Sequence, residues 1–142
     1  MMNQKLYCKV IGKGPPLVLL HGWGWHSGIW EPIAPYLSQY YQLFLIDLPG
    51  CGQSPLIFQD DKDYTCENLA AAFFEVVPAE ATWLGWSLGG MLAWWIAIHF
   101  PRKVTRLITV ATSPKFLSEK EWECRCVISH WMIKSRCMDV IA

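Results

Sequence analysis

Short runs of apolar residues alternate with amphipathic stretches over most of the chain. Four runs have the length and composition of buried strands, at residues 17–20, 43–47, 81–84 and 104–110. The same pattern predicts an opening strand near residues 6–11 and helices near 30–39, 66–77 and 88–99. Because strands alternate with helices, we predict an α/β fold with a mostly parallel sheet and helices on both faces.

One long apolar stretch could be mistaken for a membrane span. Residues 81–100 contain no Asp, Glu, Lys or Arg, and about 20 such residues can cross a bilayer. Gly85, Gly89 and Gly90 divide the stretch into a strand, a turn and a helix. A helix that is apolar on all sides is typical of a buried helix. We therefore expect a fully buried helix at 88–99 and no membrane association.

The turn within this stretch has the sequence Gly85-Trp86-Ser87-Leu88-Gly89. A serine between two glycines, after a strand and before a helix, is typical of a nucleophile elbow, whose strained backbone exposes the hydroxyl. The flanking glycines suit this turn because the strand end and the first helical turn pass too close together for β-carbons. Ser87 is therefore the predicted nucleophile.

The apolar run at 17–20 leads into a glycine-broken loop, His21-Gly22-Trp23-Gly24. Acyl transfer needs preorganised donors, because its tetrahedral intermediate carries an oxyanion. We predict that the backbone N–H groups of Trp23 and Leu88 form this pair. His21 stands at the strand end, and we interpret it as a structural residue that orients the loop.

Two further polar residues could be mistaken for catalytic groups. Asp47 opens the segment Asp47-Leu48-Pro49-Gly50-Cys51-Gly52, whose composition is typical of turns, and its carboxylate can accept hydrogen bonds from nearby N–H groups. We interpret Asp47 as an organiser of this turn. His99 precedes Phe100-Pro101 and is interpreted as a helix-end residue, where a partial positive charge is favourable.

These motifs, in this order, resemble the α/β-hydrolase superfamily. Within it they are most similar to the pimeloyl-[acyl-carrier-protein] methyl ester esterases, which are carboxylesterases of biotin synthesis. The segments that carry the likeness are 19–24, 46–54, 83–90 and 104–114, and tryptophan at positions 23 and 86 narrows the match. The resemblance extends over residues 5–122 and implies a serine carboxylesterase without cofactor or metal. Its implied partner is an acyl carrier protein bearing a pimeloyl methyl ester.

Hydrolases of this kind carry the triad acid and histidine on loops after later strands. We therefore expect residues 1–122 to be the N-terminal part of such a domain, truncated before those strands. Residues 123–142 form an atypical segment, for which a non-native origin is one interpretation. Cys124, Cys126 and His130 in this segment match no common zinc spacing. Without a histidine, Ser87 is expected to be nearly inert. Two alternatives remain open: an esterase or lyase of another pathway, and a non-catalytic fragment.

Composition narrows the remaining function classes. The 142 residues suit one domain. The chain is 53% apolar and 17% charged, and this excess of apolar residues indicates apolar surface that further segments should cover. Twelve basic and twelve acidic residues leave no net charge, which argues against nucleic-acid binding. The first ten residues do not have the pattern of a secretory signal, and the six cysteines lack disulfide-like spacing. We therefore expect reduced thiols and a cytoplasmic protein.

Overall fold

A computed structural model describes residues 5–113 of the chain. One sheet contains five strands in the order β1-β3-β2-β4-β5. The strands are β1 (Cys8–Ile11), β2 (Pro16–Leu20), β3 (Gln42–Ile46), β4 (Ala81–Trp86) and β5 (Val104–Val110). β1 runs antiparallel to β3, and the other three neighbouring pairs are parallel. The predicted α/β fold with a mostly parallel sheet is confirmed.

Three α-helices and three short 3₁₀ segments connect the described strands. The helices are α1 (Ala34–Leu37), α2 (Cys66–Phe74) and α3 (Leu88–His99), and the 3₁₀ segments are Ser27–Trp30, Asp61–Asp63 and Pro101–Lys103. The helix predicted near 30–39 is reduced to a 3₁₀ segment followed by the single turn of α1. Pro32 and Pro35 explain the difference, because proline lacks the N–H donor that a helix interior requires.

The alternation of side chains along the strands divides the apolar core into two layers. Val18, Leu20 and Trp83 belong to one layer, which also contains the inner faces of α2 and α3. Leu17 and Leu19 belong to the other layer, which contains residues of the first 3₁₀ segment and of α1. Successive strand residues point to opposite faces of a sheet. The sheet is therefore covered on both faces, as predicted.

The expectation that α3 is fully buried is wrong. Leu92 and Ile96 are buried in the core, whereas Trp94 is 36% exposed and Ile98 is 62% exposed. Residues four apart lie on the same side of a helix, so α3 has one buried and one exposed apolar side. The composition of the helix could not reveal this difference. No helix within residues 5–113 is long and apolar enough to span a membrane.

β5 forms one edge of the sheet that residues 5–113 build. Its side chains Ile108 and Val110 are 44% and 46% exposed. With seven residues, of which four are apolar, β5 presents a row of backbone N–H and C=O groups that can pair with another chain. The opposite edge strand, β1, has only four residues, one of which is Lys9. Short strands and edge lysines both disfavour such pairing.

We therefore expect the 142-residue chain to express poorly, bind a hydrophobic dye and self-associate through β5. Ile108→Lys should lower light scattering and dye fluorescence severalfold, because a lysine on a strand edge disfavours pairing. Val10→Lys is the matched control, since Val10 is similarly exposed, at 47%, on the opposite edge. A monomeric chain without dye binding, or an equal effect of both substitutions, would contradict this prediction.

Candidate active site

The candidate site lies where the order of strands reverses. The chain passes from β2 to β3 on one side, and it later adds β4 to the other side of β2. Leu20 at the end of β2 pairs in register with Gly85 near the end of β4. In open α/β sheets, ligands bind outside the carboxyl ends of the strands at such a reversal. The loop after β2 and the turn after β4 both begin there.

Ser87 occupies the turn between β4 and α3 with φ 53° and ψ −116°. A positive φ is uncommon outside glycine, and such a conformation persists only where the surrounding structure holds it. The Ser87 N–H donates to the Val110 carbonyl at 2.9 Å, and its carbonyl accepts from the Met91 N–H at 3.1 Å. The side chain makes no capping hydrogen bond to α3. The strained backbone expected of an elbow is confirmed.

The glycines on either side of Ser87 permit close backbone contacts. A β-carbon on Gly85 would overlap the backbone of Gly89 and Gly90. A β-carbon on Gly89 would overlap the carbonyl oxygens of Leu20 and His21. The first turn of α3 therefore packs directly on the end of β2, as the spacing of the glycines predicts.

The two predicted oxyanion donors lie on the segments that meet at Ser87. Leu88 is the first residue of α3, so its N–H has no partner within the helix and lies at the positive end of the helix dipole. Trp23 directly follows Gly22, where an added β-carbon would lie 3.2 Å from Cβ of Ser87. The fold thus brings both segments to the same corner as Ser87. The roles of Ser87, Leu88 and Trp23 in catalysis remain predictions.

His21 is a structural residue, as its position at the strand end predicted. It is fully buried, and its Nε2 accepts a hydrogen bond from the Leu48 N–H at 2.9 Å. The proton therefore sits on Nδ1, which donates to the Gly22 carbonyl at 2.7 Å. Burial lowers the pKa of His21 to about 4. With both ring nitrogens bonded to the loops, His21 is not available as a base for Ser87.

Asp47 organises the turn after β3, as its sequence context predicted. Its buried carboxylate accepts from the Ser27 N–H at 2.6 Å and from the Gln53 N–H at 2.8 Å. Its carbonyl accepts from the Ser54 hydroxyl, also at 2.6 Å. These hydrogen bonds connect the loop after β2 with the loop after β3.

The remaining described histidines are also engaged with the backbone. His26 accepts from the Gly28 N–H through Nδ1 at 3.1 Å. His99 lies at the exposed end of α3, with Nδ1 2.9 Å from the Trp95 carbonyl, as expected of a helix-end residue. Within residues 5–113, no histidine is hydrogen-bonded to Ser87, and no cluster of three or more potential metal ligands is present. Cys124, Cys126 and His130 lie outside the described residues.

A cleft of about 340 Å³ opens beside the loops after β2 and β3. Its lining residues include Tyr7, Trp25 and His26, but not the three predicted site residues.

Two described cysteines, Cys8 and Cys51, are not disulfide-bonded. Burial raises the pKa of Cys8 to about 11. Cys66 is buried at the start of α2. The expectation of reduced thiols agrees with the structure at Cys8 and Cys51.

Sequence reasoning did not identify Thr112 as a residue of the site. Its hydroxyl lies 3.1 Å from the Ser87 carbonyl oxygen, at hydrogen-bonding distance. The sequence shows only a threonine two residues after β5, and nothing in that pattern indicates a contact with a turn 25 residues earlier.

The stability of the fold should depend on the protonation of His21. Its folded pKa of about 4 is below the ordinary value of 6.5, so the unfolded chain binds the extra proton between these pH values. The contribution of His21 to the free energy of unfolding should therefore have its full value above pH 6.5. The free energy of unfolding should fall by up to about 3 kcal/mol as the pH approaches 4. Urea unfolding at pH 7 and pH 5 measures this contribution.

His21→Asn should be less stable at pH 7, because asparagine cannot reach both loop partners, and should show a weaker pH dependence. His99→Asn, at an exposed position, is the control and should resemble the unaltered chain. An unchanged pH dependence in His21→Asn would contradict the assignment.

Comparisons with known proteins agree with this geometry. Residues 15–124 match the sequence profile of the alpha/beta hydrolase fold family. The chain is 41% identical over 121 residues to the pimeloyl-[acyl-carrier protein] methyl ester esterase of Vibrio campbellii, a match that covers 85% of this chain and 46% of the relative. The corresponding esterase of Aeromonas salmonicida is 47% identical over 111 residues, which are 78% of this chain and 43% of the relative.

The structural comparison gives the same fold. The solved structure of a marine microorganism esterase superposes with a TM-score of 0.74 at 27% identity, covering 97% of this chain and 52% of that one. The chain spans about half the length of the curated relatives that it matches. Motifs, fold and family profile agree, and the chain belongs to the α/β-hydrolase family.

Proposed function

We propose that the protein contributes the nucleophile and the oxyanion donors of a serine carboxylesterase. Ser87 attacks the ester carbonyl, the N–H groups of Leu88 and Trp23 stabilise the oxyanion, and the alcohol leaves before water releases the acid. The observation that carries this proposal is the strained backbone of Ser87 at a strand-to-helix turn. A hydroxyl at such a turn is accessible to substrate. The mechanism requires no metal or cofactor.

The serine hydroxyl is a weak nucleophile until a base accepts its proton. Within residues 5–113, no histidine is hydrogen-bonded to Ser87: both ring nitrogens of His21 bond to the loops, Nδ1 of His26 accepts from the Gly28 N–H, and His99 lies at the opposite end of α3. We propose that the base and its acid partner belong to the half of the family fold that the chain does not match. On this proposal the 142-residue chain alone hydrolyses no ester.

The proposed substrate is the methyl ester of a pimeloyl group carried on acyl carrier protein, which makes methanol the leaving alcohol. The support is the 41% to 47% identity to relatives named for that reaction. Trp23 and Trp25 are 45% and 48% exposed on the loop after β2, where they offer apolar surface to an acyl chain. We further propose that the reaction belongs to biotin synthesis and takes place in the cytoplasm.

The alternatives are an esterase or lyase of another pathway and a non-catalytic fragment. The elbow itself does not select the acyl chain, and the marine esterase has the same fold at only 27% identity. The test compares methyl pimeloyl-acyl carrier protein with acyl carrier protein esters of other chain lengths. A preference for the pimeloyl ester supports the proposal, and a preference for another ester favours a different pathway.

A completed chain allows these tests. It consists of this chain up to Ser113, followed by the part of the Vibrio campbellii relative that comes after the position aligned with Ser113. In the completed chain, Ser87→Ala should lower hydrolysis of short acyl esters by about a million-fold, because the nucleophile is lost. Ser38→Ala is the control, since the Ser38 hydroxyl bonds only locally to the Pro35 carbonyl, and it should keep full activity.

Equal thermal unfolding of Ser87→Ala and the unaltered completed chain would exclude misfolding as the cause. More than a few per cent residual activity in Ser87→Ala would remove Ser87 as the nucleophile. Ser87-dependent hydrolysis by the 142-residue chain alone would contradict the assignment of the base to the other half. It would require a base among the histidines of this chain.

A further inference from the structure

The end of β5 holds the backbone of Ser87 from both sides of its α-carbon. On one side, the Ser87 N–H donates to the Val110 carbonyl at 2.9 Å. On the other, the Thr112 hydroxyl lies 3.1 Å from the Ser87 carbonyl and 3.1 Å from the Val110 carbonyl, and it can donate to either. Thr112 is therefore placed to hold the Ser87–Leu88 peptide group by a hydrogen bond.

The turn that brings Thr112 to this position is itself strained. Ala111 has φ 47°, and it and Ser87 are the two residues other than glycine with positive φ within residues 5–113. Both residues lie where the end of β5 meets the turn between β4 and α3. Such conformations persist only where other contacts hold them, and they are a recurrent feature of functional sites. The contacts between Thr112 and the elbow are contacts of this kind.

Gly90 supplies an independent observation. A β-carbon on Gly90 would overlap the Thr112 hydroxyl oxygen, and it would lie 2.9 Å from Cβ of Thr112. Thr112 therefore packs against the first turn of α3 in addition to bonding to Ser87. Gly90, the second glycine of the Gly89-Gly90 pair, leaves room for this side chain.

The Ser87 carbonyl belongs to the same planar peptide group as the Leu88 N–H. Because the group is rigid, a hydrogen bond that fixes the direction of the carbonyl also fixes the direction of the N–H. If the Thr112 hydroxyl is removed, the hydrogen bond from Met91 at 3.1 Å is the one that the Ser87 carbonyl keeps among residues 5–113. The peptide can then rotate more freely, and so can the predicted oxyanion donor.

We propose that Thr112 is a positioning residue that orients the Leu88 N–H toward the oxyanion through the Ser87–Leu88 peptide. This inference rests on the proposed esterase function. It assigns to Thr112 an effect on the transition state and none on the binding of substrate, because the oxyanion forms only as the reaction proceeds.

The first test measures kcat and KM in the completed chain. Thr112→Val keeps the shape of the side chain and removes the hydroxyl, and we expect kcat to fall about ten-fold with KM unchanged. Thr112→Ser keeps the hydroxyl and should restore kcat to within about two-fold. Thr105→Val is the matched control at the other end of β5, where the threonine hydroxyl bonds only to that of Thr82.

The second test does not require activity. In the 142-residue chain, hydrogen exchange measured by mass spectrometry should show faster exchange in peptides covering residues 85–92 for Thr112→Val. Thr112→Ser and Thr105→Val should exchange like the unaltered chain.

The two tests separate the inference from the proposed function. Faster exchange in Thr112→Val together with an inactive completed chain would reject the esterase proposal and retain the role of Thr112 in holding the elbow. The inference would be overturned if the amides of residues 85–92 exchanged without protection in the unaltered chain. It would also be overturned if these amides exchanged at the same rate in Thr112→Val and Thr112→Ser. Equal kcat values for these two variants in an active completed chain would also overturn it.

Discussion

The positive φ of Ser87 is the constraint on which the rest of the candidate site depends. The conformation is unfavourable for a residue with a side chain, so the surrounding backbone must hold it on every side. The end of β2 packs against Gly89, and the backbone of the first turn of α3 packs against Gly85. At the end of β5, the Val110 carbonyl accepts a hydrogen bond from the Ser87 N–H. A larger side chain at either glycine would separate these segments. The sheet order matters for the same reason, because it makes β2 and β5 the two neighbours of β4.

A second set of contacts keeps the loop after β2 in place. Loops lie at the surface and move more than the strands they connect, yet an oxyanion donor must be held in position before the reaction begins. Buried His21 bonds to the Leu48 N–H, and buried Asp47 bonds to the Ser27 N–H. Each joins the loop after β2 to the loop after β3. Both residues therefore support the site without taking part in proton transfer, even though their residue types are those of catalytic triads.

Sequence reasoning predicted the parts of the fold that depend on local pattern. The apolar runs gave the strands, and the glycine spacing gave the elbow at Ser87, because both signals arise from neighbouring residues. Two features depended on contacts distant in sequence, and the pattern did not predict them. The outer side of α3 is exposed at Ile98, and Thr112 reaches the elbow across 25 positions. The shortening of the helix predicted near 30–39 is different. Pro32 and Pro35 are visible in the sequence, so a shorter helix could have been predicted from it.

The central claim is that the residue at the tip of this turn is the nucleophile of a serine hydrolase. Its most direct test is covalent labelling with an alkyl fluorophosphonate, in which a reactive serine oxygen displaces fluoride and remains bound to phosphorus. The completed chain is treated with the reagent, digested and mapped by mass spectrometry. We expect one phosphonyl group, located on the peptide that contains Ser87 and lost when the protein is unfolded before treatment. A label on another residue, or no label in a completed chain that hydrolyses esters, would contradict the account.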